Sequence, residues 1–267
     1  MPKTRLDLLL LSRDLAPSRS KAQALIMAGQ VRVNGQLALK PATKVEDSSD
    51  IEIARGPRFV SRGGEKLQAA MDSFPLRVDG AVCADVGAST GGFTDCLLQH
   101  GASKVYAIDV GKGILDWKLR NDPRVVVMEG VNARYLDSLP EKVSLATIDA
   151  SFISLKTLLP AVKKWLSPSG EIIALIKPQF EAGRREVSRG KGVIRDVEIH
   201  RRVILDILQF AQTINLAPLG IIRSPIRGPK GNVEFLARLA AGETPPPEET
   251  LHRWIDAAAP LPEGQQG

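Results

Sequence analysis

Cysteine is nearly absent: Cys83 and Cys96 are the only two in 267 residues, too few for a disulfide framework or a zinc constellation. No metal is expected, and a reducing, cytoplasmic compartment fits. Long apolar runs are also missing. Nothing approaches the ~18 consecutive apolar residues of a membrane span. The leucine run Leu8 to Leu11, preceded by Asp7, is too short and too polar for a signal peptide. No segment is strongly amphipathic and basic, so insertion into a membrane is not expected either. What remains is ordinary. The 43% hydrophobic and 25% charged residues describe a globular chain, long enough for one sizeable α/β domain and a small second one. The charge, however, is uneven. Net charge is +6, and residues 1–62 hold 11 basic against 6 acidic residues. That imbalance favours a polyanionic partner, nucleic acid first.

The stretch "TRLDLLLLSRDLAPSRSKAQALIMAGQVRVNGQ" reads as helix, turn, helix, strand. Leu6, Leu9, Leu10 and Leu15 suit one buried helix face. Ser18 can cap a second helix whose apolar side is Ala22, Leu25 and Ile26 and which ends at Gly29. "QVRVNGQLA" alternates as a strand around an Asn34-Gly35 hairpin turn. Arg19 and Lys21 sit beside the second helix N-terminus, where backbone N–H groups already attract phosphate. Ser18, Arg19, Ala22, Ile26, Gly29, Val31, Val33, Asn34 and Gly35 carry a pattern that resembles the RNA-binding module named after small-subunit ribosomal protein four. The resemblance covers about residues 3 to 54. It implies a small α+β domain over 1–55 that positions RNA through shape and phosphate. Arg5, Ser18, Arg19, Ser20, Lys21, Arg32 and Asn34 form its expected RNA-facing set.

Residues 56–62, rich in Arg, Gly and Pro, read as a linker. A second domain is expected over 63–245, with a tail over 246–267. Ala81 to Val86 reads as a short buried strand, Gly87 to Gly92 as a turn without large side chains, and Thr94 to Gln99 as the start of a helix. Val105 to Ile108 then forms a strand ending in Asp109, 24 positions after Asp85. Strand, glycine turn, helix, strand, acid is the nucleotide-binding unit of an open α/β sheet. The spacing is not the dinucleotide G-x-G-x-x-G, since Ala88 stands where a second close approach would need glycine. Further strands are expected at 124–129, 143–149 and 171–177, each separated by a helix. Asp109, Glu129, Asp149 and Lys177 thus stand at successive strand ends, the edge where ligands bind in such sheets.

Lys66 lies on the first helix of this domain and Glu234 on a late alternating strand. Lys66, Asp149, Lys177 and Glu234 look like the K-D-K-E tetrad of FtsJ-like ribose methyltransferases. "VSRGGEKL", "ADVGASTGGFTD", "IDASFISL", "LIKPQFE" and "GNVEFL", behind the RNA-binding module, resemble the TlyA family, historically labelled haemolysin A. That resemblance spans about residues 3 to 240. It implies a Rossmann-like, mostly parallel sheet of the class I methyltransferase type. It also implies S-adenosylmethionine as cofactor and methylation of a cytidine ribose 2′-OH in ribosomal RNA, in one or both ribosomal subunits.

A ribose hydroxyl is a poor nucleophile until its proton is removed or shared, so a base must stand beside it. Lys177 is the candidate. Desolvation and the like charge of Lys66 would lower a lysine pKa, while Asp149 and Glu234 push the other way. The expected division has Lys177 deprotonating, Lys66 steadying the oxyanion, Asp149 orienting Lys177 near the sulfonium, and Glu234 orienting a lysine or the ribose. The expected cofactor set is Asp85, Gly87, Ala88, Ser89, Thr90, Gly91, Gly92 and Phe93 at the methionine end, Asp109 at the ribose, Glu129 to Asn132 near adenine, and Asp149.

"EAGRREVSRGKGVIRD" reads as a basic loop at the rim of this edge, with Arg184, Arg185, Arg189 and Lys191 as RNA clamps. Arg223, Arg227 and Lys230 add charge before Glu234. "LHRWIDAA" near the C-terminus can form a short docking helix, and 260–267 reads as a frayed tail. Three alternatives compete. Amino-group methylation would use an Asn/Asp-Pro-Pro-aromatic turn, and "DASF" lacks both prolines. A membrane-active toxin lacks its spanning or amphipathic segment. An inactive RNA-binding or assembly factor would keep the cofactor pocket and not need Lys177.

Overall fold

The computed structural model describes residues 2–54, 56–228 and 230–261, and the chain divides into two compact units, Met1–Arg58 and Phe59–Gly267. The division falls inside the stretch expected as a linker. Among the described residues no helix is long and apolar enough to cross a membrane.

The first unit runs β1 (Lys3–Arg5), α1 (Leu6–Ser12), α2 (Arg19–Met27), β2 (Val31–Val33), β3 (Gln36–Ala38), β4 (Lys44–Glu46) and β5 (Ile51–Ile53). β2 pairs antiparallel with β3 and β5, and β1 with β4. Asn34 and Gly35 both take positive φ, 48° and 76°, which a tight two-residue hairpin turn requires. Leu6, Leu10, Ala22, Ile26 and Val31 close a small core. Leu15, expected on the buried face of the first helix, instead lies beyond the end of α1 and is 37% exposed.

The second unit runs α3 (Gly63–Ser73), β6 (Val82–Val86), α4 (Gly92–Gln99), β7 (Lys104–Asp109), α5 (Trp117–Arg120), β8 (Val125–Glu129), a 3-10 turn (Ala133–Tyr135), β9 (Val143–Ile148), α6 (Leu155–Lys163), β10 (Leu166–Ile176), α7 (Pro178–Glu181), α8 (Arg184–Arg189), α9 (Val197–Thr213), β11 (Leu216–Arg223), β12 (Phe235–Ala241) and α10 (Glu248–Ala258). Seven strands form one open sheet in the order β11-β12-β10-β9-β6-β7-β8. The pairs among β10, β9, β6, β7 and β8 are parallel, while β12 runs antiparallel to both neighbours. This is the expected Rossmann-like, mostly parallel architecture. The chain proceeds from β6 through β7 to β8 on one side, then returns to β9 on the other. The β6/β9 boundary is therefore the switch point at which such sheets bind ligands.

Both faces of the sheet are covered, so its strands are apolar at nearly every position. On β10, Ile172, Ala174 and Ile176 join the core on one face, and Ile173 and Leu175 join the core on the other. On the second face pack α3 and α4, through Leu67, Ala70, Cys96 and Leu97. The first face is covered by α6, α9 and α10. The stretch expected as a tail thus contains α10, whose Leu251, Ile255 and Ala258 are buried in that core. Of that stretch, residues 262–267 lie outside the described residues.

Candidate active site

Strand alternation decides which side chains meet. Leu145 and Thr147 on β9 and Ile173 and Leu175 on β10 face the α3 side, so Asp149 and Lys177, each two further on, reach the same side of the ligand edge. Lys66 comes to that edge from α3. Glu234 arrives by a different route. It immediately precedes β12, and because β12 is antiparallel its first residue, Phe235, pairs with Ile176 at the last position of β10. An N-terminal residue of one strand is thereby placed beside the C-terminal ends of the others.

The four side chains form a row of alternating charge. Lys177 Nζ lies 2.6 Å from Asp149 Oδ1. Asp149 Oδ2 faces Lys66 Nζ at 3.7 Å, and Lys66 Nζ donates to Glu234 Oε2 at 2.7 Å. Lys66, Lys177 and Glu234 are 8%, 6% and 1% exposed, so each charge sits against its neighbours rather than against water. Such a row is tolerable because every member has an opposite charge in reach. Lys177 also donates to Ala150 O at 2.9 Å, Ser151 Oγ at 3.0 Å and Asp149 O at 3.3 Å.

Those bonds fasten the 149–154 loop to the turn after β10. A second fastening is Glu181, which accepts from Ser154 Oγ at 2.6 Å and Leu155 N at 2.8 Å at the start of α6. Burial pushes the Glu181 carboxyl above its ordinary range, against the pull of those donors. Between the two fastenings stands Phe152, which sequence reasoning missed. Its φ is 63°, its side chain is 91% exposed, and its ring lies 5.0 Å from that of Phe180. A bulky residue in left-handed backbone, held out near Lys177, is an uncommon and strained arrangement. The available signal was an aromatic directly following "DAS" at a strand end.

The expected cofactor residues fall into two groups. Gly87, Ser89, Thr90, Asp109, Glu129 and Asn132 lie at the ends of β6, β7 and β8 or in the turns that follow them, exposed or half-buried. Asp85, Ala88, Gly92 and Phe93 are buried, and Phe93 belongs to the core. A Cβ on Gly87 (φ +82°) would stand 2.8 Å from Asp149 O, so the turn packs closely against the loop that follows β9. Gly92 lacks space for the same reason against Ser61 and Gly64 at the start of α3. A methyl on Gly91 would strike Leu119. Asp109 accepts from Ser89 N at 2.8 Å and Gly111 N at 2.7 Å, which folds two loops around its carboxylate. Val110, 69% exposed, follows it as an apolar surface at the rim.

Glu129 accepts from Arg120 at 2.6 Å and from Ile114 and Leu115 amides. The Arg120 guanidinium, then the backbone amides, hold its carboxyl down to about 2. Asn132 Oδ1 caps the 3-10 turn through Arg134 N at 3.0 Å. Asp85 is fully buried. It accepts from Thr94 Oγ1 at 2.7 Å and Thr147 Oγ1 at 3.1 Å, so it ties α4 and β9 together beneath the turn. A small cradle of backbone, a carboxylate on the adjoining strand end and an exposed apolar shelf suit a nucleoside with a charged tail.

The expected RNA-facing residues are spread over both units. In the first, Ser18 caps α2 by accepting from Lys21 N at 3.2 Å and lies 3.1 Å from Ser20 Oγ. Arg5 and Arg19 both bond Asp7. Arg32 donates to Gly35 O at 2.9 Å, and Asn34 accepts from Asp50 N at 2.9 Å, so both also brace the hairpin. In the second unit the basic stretch expected as a loop includes the six-residue α8, because Gly183 N donates to Glu186 at its start and Glu186 binds Arg202 at 2.6 Å. Arg185, Arg189 and Lys191 are at the surface there, while the side chain of Arg184 lies outside the described part of the structure. Asn232 anchors this segment to the Glu234 loop, accepting from Ile194 N and donating to Gly192 O, each at 2.9 Å.

Comparison with known proteins bears on the family and the fold. Residues 59–240 match the FtsJ-like methyltransferase family and residues 4–51 match the S4 domain. The chain is 46% identical to the 16S/23S rRNA (cytidine-2'-O)-methyltransferase TlyA of Mycobacterium tuberculosis, over 87% of this chain and 88% of that protein. It is 44% identical to Hemolysin A of Brachyspira hyodysenteriae, over 87% of this chain and 98% of that protein. Among solved structures, a hemolysin-named protein of Streptococcus thermophilus is similar with a TM-score of 0.71 at 42% identity, covering 96% of this chain and 95% of that one.

Proposed function

The chain belongs to the FtsJ-like methyltransferase family, and from that premise we propose that it methylates the ribose 2′-OH of cytidine in ribosomal RNA, using S-adenosylmethionine. The observation that carries the reading is the unbroken row Lys177, Asp149, Lys66, Glu234, assembled from four separate segments at the ligand edge. S-adenosylmethionine, when bound, supplies a methyl group activated by its positive sulfonium. Gly87 to Thr90 would hold its methionine end, Asp109 the ribose hydroxyls, and Val110 with the 129–132 segment the base.

This chain's own residues do the rest. Lys177 Nζ, in its neutral form and held by Asp149 at 2.6 Å, can take the proton of the 2′-hydroxyl as the oxygen attacks the methyl group, and releases that proton to solvent after transfer. Lys66, held on Glu234, supplies fixed positive charge beside the oxygen as its negative charge grows. Glu234, enclosed and bonded to Lys66, serves that lysine rather than the ribose. Phe152 offers an exposed ring on which the target base can stack once it leaves its helix. The basic first unit and the Arg185 to Lys191 segment would grip the RNA backbone.

Two observations weigh against the rival readings. Phe152 follows Ser151 with no proline pair, so the loop lacks the amine-holding turn, and Lys177 instead fills the space against Ala150 O and Ser151. An assembly factor without catalysis would have no use for this row, whose Lys66, Lys177 and Glu234 are buried at a desolvation cost. The test supplies the protein and S-adenosylmethionine to unmethylated ribosomal subunits. A cytidine protected from alkaline cleavage is expected, with transfer falling about 10²- to 10⁴-fold in Lys177→Ala, the range of a lost general base. Undiminished transfer by that variant would remove Lys177 from the role. No incorporation into either subunit would overturn the reading as a whole.

A further inference from the structure

We propose that Asp7 is a positioning residue for RNA, whose enclosed carboxylate pre-orders Arg5 and Arg19 into a paired phosphate-binding edge on the first unit. This inference rests on the reading that the first unit grips RNA.

Asp7 is 0% exposed, although it lies in the first turn of α1. Four donors converge on it. Arg5 approaches as a fork, Nε to Oδ1 at 3.0 Å and Nη2 to Oδ2 at 2.9 Å. Arg19 Nε reaches Oδ2 at 3.1 Å and Gln23 Nε2 reaches the same oxygen at 2.9 Å. Arg5 immediately precedes α1, and Arg19 opens α2. One carboxylate therefore joins two helix starts and two guanidiniums. The Arg5 fork, with Gln23 and Arg19 behind it, holds the Asp7 carboxyl well below the usual carboxylate range, so it stays charged.

The arginines themselves are not enclosed. Their side chains are 37% and 52% exposed above a carboxylate at 0%. Such layering is a poor way to gain stability, because exposed ion pairs contribute little and buried carboxylates cost desolvation. It is a good way to fix long side chains before a ligand arrives. An arginine loses much rotamer freedom when it clamps a phosphate, and holding its Nε edge in advance removes that cost from binding. Two cations on one anion leave net positive charge, with exposed Lys21 on the adjoining turn. The edge remains attractive to a polyanion while its geometry is set from beneath.

Simple electrostatics makes the opposite forecast, which gives the test its force. Asp7→Asn removes a negative charge from beneath an RNA-facing surface, so on charge alone RNA should bind more tightly. With positioning, it should bind less tightly despite the added net charge. The full chain is titrated with purified ribosomal subunits and with plain double-stranded RNA, by filter retention over a range of salt. Asp7→Asn is expected to lose about tenfold in affinity on each RNA and to make the slope of log K against log salt shallower by about one, the signature of one lost phosphate contact. Unchanged or tighter binding overturns the proposal.

Arg5→Lys keeps the charge but cannot form the fork, Arg19→Lys keeps the charge but loses the planar guanidinium held by its Nε contact, and the two decide the matter even where Asp7→Asn does not fold. Each should weaken RNA binding; wild-type affinity and slope in both would overturn the proposal. Arg5→Ala and Arg19→Ala separate this inference from its premise. If neither alters RNA binding, the reading of the first unit as an RNA grip fails. If both weaken it while Asp7→Asn does not, the grip stands and only the positioning role falls.

Discussion

Replacing Asp85 with asparagine should make the second unit's stability respond differently to pH, by an amount the structure sets. Asp85 has no solvent exposure, and burial pushes its carboxyl up to about 6, with the Thr94 and Thr147 hydroxyls pulling it partly back. Its ordinary value is 3.8. Between these values the folded unit holds a proton that the unfolded chain has released. Stability therefore falls as pH rises from about 4 to about 6 and stays lower above that. The loss amounts to roughly 3 kcal/mol, because each tenfold change in acidity corresponds to about 1.36 kcal/mol. Asparagine does not ionise. Its Oδ1 can still accept from one threonine, so the variant keeps part of the tie between α4 and β9.

The assay is urea unfolding followed by tryptophan fluorescence, since Trp117, Trp165 and Trp254 all lie in the second unit. Relative to the parent protein, Asp85→Asn should gain about 2 to 3 kcal/mol between pH 4 and pH 7. A stability difference that is flat over that range would refute the reasoning. The Asp85 carboxylate holds α4 and β9 in place directly beneath the glycine turn. The variant should accordingly bind S-adenosylmethionine more weakly at neutral pH, which calorimetric titration measures.

Gly87→Ala should impair cofactor binding and transfer together, because a methyl there meets the Asp149 carbonyl at 2.8 Å and the backbone is left-handed; a loss above about 2 kcal/mol of stability is expected by urea unfolding. Glu234→Gln leaves Lys66 a neutral partner in place of a charged one at 2.7 Å. It should cost about 1 to 2 kcal/mol of stability and slow transfer more than it weakens cofactor binding, as single-turnover rates and calorimetry can separate. Phe152→Ala keeps a Cβ in the left-handed backbone but removes the exposed ring. Its KM for ribosomal subunits should rise about tenfold while S-adenosylmethionine affinity holds, and an unchanged KM would deny the ring a stacking role.

Much of this architecture was legible because it is written in short periods. The strands at 82–86, 105–108 and 171–176, apolar but for Asp85 and Glu171, read as buried on both faces, and Asp109 and Lys177 at the ends of the last two mark a ligand edge. The Asn34-Gly35 hairpin was equally plain, since few other residues accept two successive positive φ values. Misreadings occurred where context overrides the local pattern. Leu15 fits a helical period, yet α1 ends at Ser12. The docking helix expected at "LHRWIDAA" is, by contrast, present as α10, and what the local pattern did not show is that it packs into the main core. The glycine-rich basic stretch promised only a loop, whereas Glu186 closes its start into a turn of helix.

The sequence by itself determined the strand order along the chain, the residue types at the strand ends and the charge of the first unit, because each depends on neighbours a few positions apart. Only tertiary structure decided what those residues do to one another. That Glu234 bonds Lys66, that Asp149 lies between two lysines, and that Phe152 is held outward all depend on contacts between segments tens of residues apart. The antiparallel turn of β12 is the physical reason for the first, since it reverses which end of a strand meets the ligand edge. In the same way Asp7 is one more charge in a basic stretch until folding closes it over and sets two arginines above it.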